Sequence, residues 1–405
     1  MARLNSLLLA GLLVVTIASV ASAQIFSDDM SAAANWTLSM DLDSSAEFGY
    51  DYSQKGVPAA PNGSDTIGLK FEVNNSAGVI SQIVAVHADE EFTGQFTFRV
   101  DIWSNWALDG GGVGTGTTEF TGVSVGHDAF APGPWGGSFI YTGDGDAAAT
   151  DYRLYKNLTQ LQAESGQYAL GTTAGARDSS NPILTTAFPA FDIATAVPAQ
   201  GQSGTQPAGA GGFQWMTVNV EVDTEAVGPS GATTTPGFAR FSMRSAQSGN
   251  TVEIGTIDNS NGEADVPVLG GTIALLMSDI FSSVAVNPTF SFGLFDNVQV
   301  LEGLVPLEPD ELVGDYNDDG TVDAADYVVF RKNEGTASAL PNDPTGGTIG
   351  QAQYNQWTTH FGQTAGGGSA SNAAVPEPRT LMLITLSAGW YVFRRSAAQK
   401  VQVTH

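Results

Sequence analysis

Short runs of alternating apolar and polar residues fill most of the chain, from Ile25 to about Leu301. Six runs show the pattern most clearly: Thr66–Val73, Val79–Val86, Gln95–Ile102, Thr217–Val222, Phe238–Met243 and Phe290–Val300. Side chains of a strand point alternately to opposite faces, so this period of two predicts strands with one buried face. Only Tyr152–Leu161 carries a weak helical period. So many strands in one span predict a mainly β, two-sheet sandwich.

Charge and cysteine content exclude several function classes. The chain has 15 basic and 42 acidic residues, a formal net charge of −27, and no cysteine. Nucleic-acid binding is excluded because phosphate affinity needs clustered Lys and Arg. Disulfide scaffolds, thiol catalysis and cysteine zinc sites are excluded by composition. The four histidines are scattered without zinc-ligand spacing: His87, His127, His360 and His405.

The first 23 residues have the order of a secretory signal peptide. Arg3 precedes an apolar stretch from Leu7 to Val15, and the small residues Ala21-Ser22-Ala23 follow. That order predicts export and cleavage before Gln24. The mature protein is therefore expected outside the cytoplasm.

The C-terminal end carries a second targeting pattern. A linker at 366–374 leads to Val375-Pro376-Glu377-Pro378, an apolar run over Thr380–Phe393, and the basic pair Arg394-Arg395. At ~1.5 Å per residue the run is about 21 Å long as a helix. Because the basic pair follows the run, we expect this segment to run from the outside of the membrane to the inside. Residues 375–405 resemble a PEP-CTERM sorting signal. The resemblance implies processing by an exosortase-type enzyme, a membrane contact through this helix, and a location at the cell surface.

The two ends of the β region carry a paired motif. Ile25–Met30 opens it with F-S-D-D, and Phe292–Val300 closes it with D-N-V-Q-V. This pairing resembles the concanavalin A-like, or laminin G-like, jelly rolls. The resemblance implies a jelly-roll domain over 24–303 that serves carbohydrate binding, adhesion or glycan cleavage. Fold alone does not decide among these.

Three acids at alternate positions form the candidate catalytic group. Glu221, Asp223 and Glu225 would share one face if the strand continued through them. The pattern resembles the E-x-D-x-E strand of laminarinase-type retaining glucanases. The resemblance implies Glu221 as nucleophile, Asp223 as helper and Glu225 as acid/base. A solvated strand face in an acidic chain is the other interpretation.

Two weaker patterns lie in the same domain. Gly122–Gly126 has the letters G-V-S-V-G of a nucleophile elbow, but Pro132 and Pro134 follow where a helix must begin, so a plain strand is predicted. Four tryptophans are candidates either for the core or for sugar-stacking platforms: Trp103, Trp106, Trp135 and Trp215.

The strongest chemical motif lies at Asp315–Asp326, which reads D-x-N-x-D-G-x-V-D-x-x-D. This is the spacing of an EF-hand calcium loop with Asp at position twelve, and it supplies the oxygen ligands that Ca²⁺ requires. The predicted ligands are Asp315, Asn317, Asp319, Thr321 through its carbonyl, Asp323 and Asp326. A helix is expected to begin after the loop.

The loop and the predicted helix after it are repeated 27 residues further along the chain. This shift aligns Gly320 with Gly347 and Tyr327 with Tyr354. Two loop–helix units in tandem resemble a type I dockerin, and we assign it residues 304–365. The resemblance implies docking onto a cohesin-like module. The second loop departs from the pattern, with non-acidic residues at ligand positions one, three, five, nine and twelve: Asn342, Pro344, Gly346, Gly350 and Gln353. One calcium site is therefore expected rather than two.

Together these features predict an exported cell-surface or matrix protein. Its sandwich would bind a glycan or another extracellular partner, ahead of one calcium loop and a sorting tail. The alternative is a secreted retaining glycoside hydrolase that uses Glu221 and Glu225.

Overall fold

The computed structural model describes residues 22–76, 78–107, 119–127, 131–145, 151–161, 179–227, 235–259, 266–280, 284, 287–307, 312–317, 319, 321–343 and 345–362. It contains seventeen strands: β1 Gln24–Asp28, β2 Trp36–Met40, β3 Ser44–Asp51, β4 Ile67–Val73, β5 Ser81–Phe92, β6 Gln95–Asn105, β7 Glu119–Val125, β8 Gly137–Thr142, β9 Tyr152–Lys156, β10 Thr159–Leu161, β11 Phe191–Asp192, β12 Thr205–Gln206, β13 Trp215–Asp223, β14 Phe238–Ser245, β15 Thr251–Asp258, β16 Gly271–Asp279 and β17 Phe292–Glu302. The α-helices are α1 Pro182–Ala187, α2 Ile193–Ala196, α3 Ala324–Asn333 and α4 Gln351–His360.

Two antiparallel sheets build the large domain. The first has eight strands, with seven in the order β15-β14-β13-β6-β17-β4-β3 and β1 paired to β17. The second has seven strands in the order β10-β9-β8-β7-β16-β5-β2. Neighbouring strands are often far apart in sequence, as where β13 pairs with β6. The site residues of one face therefore come from distant parts of the chain.

The core lies between the two sheets and follows from the alternation in the sequence. Phe96, Phe98, Val100 and Ile102 on β6 are buried there, and their neighbours on the same strand point to the outer face. Antiparallel strands with one packed face give this pattern directly. The mainly β, two-sheet sandwich with few helices is thus confirmed. Its jelly-roll classification and its boundaries at 24–303 stay predictions.

The opening and closing motifs pair as the sequence indicates. Strand β1 lies against β17, with Phe26 opposite Val300 and Asp28 opposite Val298. The Asp28 carboxylate accepts hydrogen bonds from Met30 N at 2.7 Å and from Trp36 Nε1 at 3.0 Å. Asp28 therefore ties the turn after β1 to the start of β2.

A second apolar cluster covers part of the outer face of the eight-stranded sheet. It contains Trp103 and Trp215 from β6 and β13, together with Tyr52, Val57 and other side chains of the flanking segments. Those segments are residues 52–66 and 188–213. They cross the sheet and exclude water from this end of its outer face.

A separate small unit follows at residues 312–362. Helices α3 and α4 pack their aromatic side chains together, and the Tyr327 and Trp357 ring centroids are 4.9 Å apart. Its buried residues are Tyr316, Val322, Phe330, Leu340, Ile349 and Trp357. The classification of this unit as a dockerin at 304–365 stays a prediction.

Some sequence predictions differ from the structure or fall beyond it. The weak helical period of Tyr152–Leu161 was misleading, because these residues form strands β9 and β10. Most of the signal peptide at 1–23 and all of the linker and tail at 366–405 lie outside the described residues. Within the described part of the chain, no helix is long and apolar enough to cross a membrane.

Replacing Asp28 tests the clamp between β1 and β2. We expect Asp28→Ala to lower the free energy of unfolding by about 1–3 kcal/mol, because two part-buried donors lose their acceptor. Urea denaturation followed by tryptophan fluorescence measures the change. Asp29→Ala is the matched control, because Asp29 is exposed and its hydrogen bonds are local, to Ser31. Equal losses in the two variants would contradict a specific role for Asp28.

Candidate functional site

In the loop at 315–326, described at 315–317, 319 and 321–326, backbone N–H groups donate to the loop's own carboxylates. Asp326 is fully buried, and its two oxygens accept hydrogen bonds from Asn317 N at 3.0 Å and from Asp323 N at 2.7 Å. The Asp323–Asp326 pair forms a capping box that begins helix α3, with Asp323 Oδ1 also accepting from Ala325 N. The last predicted ligand is therefore oriented from both sides by backbone donors.

The remaining acids of the loop are held in the same way. Asp319 N donates to Asp315 Oδ1 at 3.2 Å, and Thr321 N donates to Asp319 Oδ1 at 3.1 Å. The side chain of Asn317 donates to Asp319 Oδ2 at 2.7 Å. Asp315 is buried, at 1% exposure. Hydrogen bonds within the loop thus link Asp315, Asn317, Asp319 and Asp326 in a chain of contacts.

The surroundings of Asp326 disfavour the ionised form of its carboxylate. Burial raises the pKa of Asp326, and the nearby carboxylates of Asp315 and Asp319 raise it further, while backbone N–H donors lower it. Among the residues that the structure describes, no three His, Asp or Glu side chains converge closely enough to hold a metal ion. The donor set nevertheless fits calcium in kind, because carboxylate, amide and carbonyl oxygens are its preferred ligands.

The three acids of the candidate catalytic strand do not share one environment. Glu221 points outward from β13, nearly buried, and forms an ion pair of 2.8 Å with Arg240 on β14. Strand β13 ends at Asp223, which bonds to Gln95 Nε2 and accepts from Glu225 N. Glu225 is therefore exposed in the turn beyond the strand. Burial raises the pKa of Glu221, and Arg240 opposes the rise.

The weaker sequence candidates have structural roles. Ser124 of the G-V-S-V-G run lies within strand β7, as predicted, and donates to the carbonyl of Trp135. Trp103, Trp106 and Trp215 are 2–3% exposed and belong to the outer apolar cluster, so they offer no open stacking platform. Trp135 is half-buried.

A buried pair of aspartates was missed by the sequence analysis. Asp101 on β6 lies directly opposite Asp296 on β17, on the outer face of the eight-stranded sheet. Asp101 accepts hydrogen bonds from Asn62, Thr217 and Asn297, three neutral partners on different segments. The only sequence signal was the D-N of the closing motif, which indicated a strand rather than a site.

The backbone around Asp296 is shaped for this contact. Asn297 takes a left-handed φ of 52° inside a bulge of β17, a conformation that asparagine tolerates well. Asp296 accepts from Asn297 N at 2.7 Å and from the Tyr52 hydroxyl at 2.8 Å. A Cβ at Gly63 would lie 2.4 Å from Asn297 Oδ1, so the close approach of residues 52–66 needs glycine there.

Each of these two buried carboxylates disfavours the ionised form of the other. Burial raises the pKa of Asp296 to about 7, with Asp101 and Asp65 adding to the rise, and burial also raises the pKa of Asp101. In the contacts described above, the hydrogen-bond donors to Asp101 and Asp296 are all neutral groups, and no Lys or Arg is among them. The network therefore fastens the 52–66 segment to the sheet and makes that attachment sensitive to pH.

Comparisons with known proteins give only distant structural likenesses. No protein-family model matches the sequence, and no curated protein matches it. Among solved structures, a protein of unknown function with a galectin-like fold from Bacillus subtilis shares 10% identity at a TM-score of 0.35, covering 70% of this chain and 98% of that one. The Ca²⁺/Man2-bound VIP36 exoplasmic/lumenal domain shares 8% at 0.35, covering 68% and 84%. The alginate lyase vAL-1 from a Chlorella virus shares 10% at 0.31, covering 60% and 88%.

Replacing Asp296 tests the buried pair. Because its pKa is raised from 3.8 to about 7, its contribution to stability is fully present below about pH 4 and is lost as the pH rises through 7. We expect Asp296→Asn to remove this part of the pH dependence, since the amide stays neutral and can donate to the Tyr52 hydroxyl. Urea midpoints at pH 5 and pH 8 measure it, with exposed Glu225→Gln as control. A wild-type pH slope that persists in Asp296→Asn would contradict the assignment.

Proposed function

We propose that this chain is an exported surface or matrix protein whose loop at 315–326 binds one calcium ion. The burial of Asp326, with each of its oxygens held by a backbone N–H, is the observation that carries the proposal. Such an arrangement orients the position-twelve carboxylate before any cation arrives, which reduces the ordering cost of binding. Asp315, Asn317 and Asp319 would supply the other side-chain oxygens.

Calcium would stabilise the small unit by cancelling repulsion among its acids. The loop connects directly to α3, so a cation held at its ligands also fixes the beginning of that helix. A ligand that binds only the folded state adds to its stability. The unit would then act as a calcium-stabilised spacer between the sandwich and the sorting tail. Docking to a cohesin-like module and exosortase processing stay predictions from the sequence.

A second proposed function is recognition of a glycan or another extracellular partner by the sandwich. The supporting observation is the outer face of β14 and β15, which the apolar cluster leaves uncovered. Arg240 and Glu253 are exposed there, while Ser242, Arg244 and Thr256 are half-buried. Fixed donors and acceptors on a rigid sheet suit sugar hydroxyl groups, and a preformed surface binds without a large ordering cost.

The hydrolase alternative has less support from the geometry. A retaining mechanism needs two carboxyl groups about 5 Å apart that flank the bond to be cleaved. Glu221 is engaged by Arg240, and Glu225 lies in the turn after β13. The alternative stays a prediction, and turnover of a β-glucan panel decides it.

Calcium binding is tested by titration calorimetry on the mature chain. We expect wild-type protein to bind one Ca²⁺ and Asp326→Ala to lose at least 100-fold in affinity, because the bidentate ligand of position twelve is gone. Glu334→Gln, an exposed acid after α3, is the matched control and should bind normally. Unchanged binding by Asp326→Ala would show that the loop is not the site.

Glycan recognition is tested by binding to a panel of neutral and acidic polysaccharides. We expect Arg244→Ala to weaken any binding by roughly 10- to 150-fold, as loss of a charge-assisted hydrogen bond costs roughly 1.5–3 kcal/mol. Lys332→Ala, on helix α3, serves as the control. If Arg244→Ala binds like the wild type, the outer face of β14 is not the binding surface. Hydrolysis by the wild type that Glu221→Gln abolishes would establish the enzyme instead.

A further inference from the structure

Two equivalent positions of the repeat hold different side chains in the same structural role. We name residues 315–326 the first loop and residues 342–353 the second loop. In the first loop, Asp323 N donates to the Asp326 carboxylate at position twelve. In the second, Gly350 N donates to Gln353 Oε1 at 2.9 Å, which forms the corresponding half of a capping box at the start of a helix. One oxygen of each position-twelve side chain is thus used in the same way.

The other polar atom of Gln353 points into its own loop. Gln353 Nε2 donates to the carbonyl of Gly346 at 3.0 Å and to Asp343 Oδ2 at 3.1 Å. The side chain is 1% exposed, so these bonds are shielded from water. Gly346 stands at position five of the second loop, where the first loop has its predicted ligand Asp319. An N–H₂ group therefore faces loop oxygens in the second unit.

The chemistry of the two side chains explains the difference. An ionised carboxylate only accepts hydrogen bonds, so oxygens that face it need a cation between them. A carboxamide of nearly the same shape accepts with its oxygen and donates twice with its nitrogen. From this geometry we infer that the Gln353 amide group takes the place of a metal ion in the second loop, and that this metal-free loop positions the calcium-binding residues of the first.

The contacts between the two loops carry the second half of the inference. Asn342 Nδ2 donates to the carbonyl of Asp315 at 3.0 Å, so position one of the second loop holds position one of the first. The Tyr316 hydroxyl donates to the carbonyl of Gln353 at 2.6 Å. Trp357 Nε1, on helix α4, donates to the carbonyl of Asp323 at 2.7 Å. Two ligand residues of the first loop are therefore fixed by the second unit.

Asn342 and Trp357 are accordingly positioning residues for a site that they do not themselves form. This role rests on the proposed calcium binding by the first loop, whereas the metal-free character of the second loop does not. The second loop also closes onto the end of α3, because Ile349 N donates to the carbonyl of Thr336 and Gly335 N donates to the carbonyl of Ile349, both at 2.8 Å. These amides report directly on whether the second loop is ordered.

Gln353→Glu in the mature chain separates the possibilities. The substitution keeps the shape but puts a carboxylate against Asp343 Oδ2 and the Gly346 carbonyl. With a calcium chelator present, we expect the backbone amide hydrogens around Ile349 to exchange at least tenfold faster in Gln353→Glu than in the wild type, where exchange should stay slow. Added Ca²⁺ should restore slow exchange in the variant, because the cation then occupies the place of the lost N–H₂ group.

Gln351→Glu is the matched control, since it adds the same charge to the exposed first turn of α4. Slow exchange of Gln353→Glu in chelator, equal to this control, would overturn the inference, as would a failure of Ca²⁺ to restore protection. Calorimetry adds the positioning readout, because Asn342→Ala should weaken Ca²⁺ binding to the first loop about tenfold. A wild-type chain that binds no Ca²⁺ would refute the proposed function, while the chelator comparison would still test the second loop.

Discussion

The packing of one alternating face of each sheet against the other is the interaction on which the sandwich depends. The chain has no cysteine, so no disulfide restrains it, and burial between the sheets must supply most of the stability. Phe98 on β6 and Val220 on β13, which lie in register, are both fully buried in this layer. Because these faces point inward, the alternate residues of the same strands must lie on an outer face. This division into inner and outer faces determines where the polar candidate residues of the sandwich lie.

The outer face of the eight-stranded sheet is not simply a wetted surface. At one end it carries tryptophans, and the segments 52–66 and 188–213 cover them. Asp101 and Asp296 fasten the first of these segments through Asn62 and Tyr52. Burying carboxylates is unfavourable unless their oxygens are satisfied, and here neutral donors from several segments do so. This part of the sheet is committed to structure, which leaves the β14 and β15 region as the open polar face.

The small unit at 312–362 shows two solutions to one problem. A tight loop leaves several oxygens directed inward, and their mutual repulsion must be relieved. In the second loop the Gln353 amide donates to those oxygens, whereas in the first loop the position-twelve residue is an acid that cannot donate. Contacts from Asn342 and Trp357 then join the two loops. The two loops are therefore joined by direct hydrogen bonds.

The sequence by itself determined several strands and the position of α3, because these follow from local periodicity and capping. The pairing of β1 with β17 was implied by the resemblance of the two end motifs to a known family. It did not reveal that Arg240 neutralises Glu221, or that Asp101 faces Asp296 from nearly 200 residues away. Those neighbours are set by strand order and register, which act between distant segments. The role of Gln353 was hidden for the same reason: a missing carboxylate indicates a lost metal site, and only the tertiary contacts of its amide decide what replaces the metal.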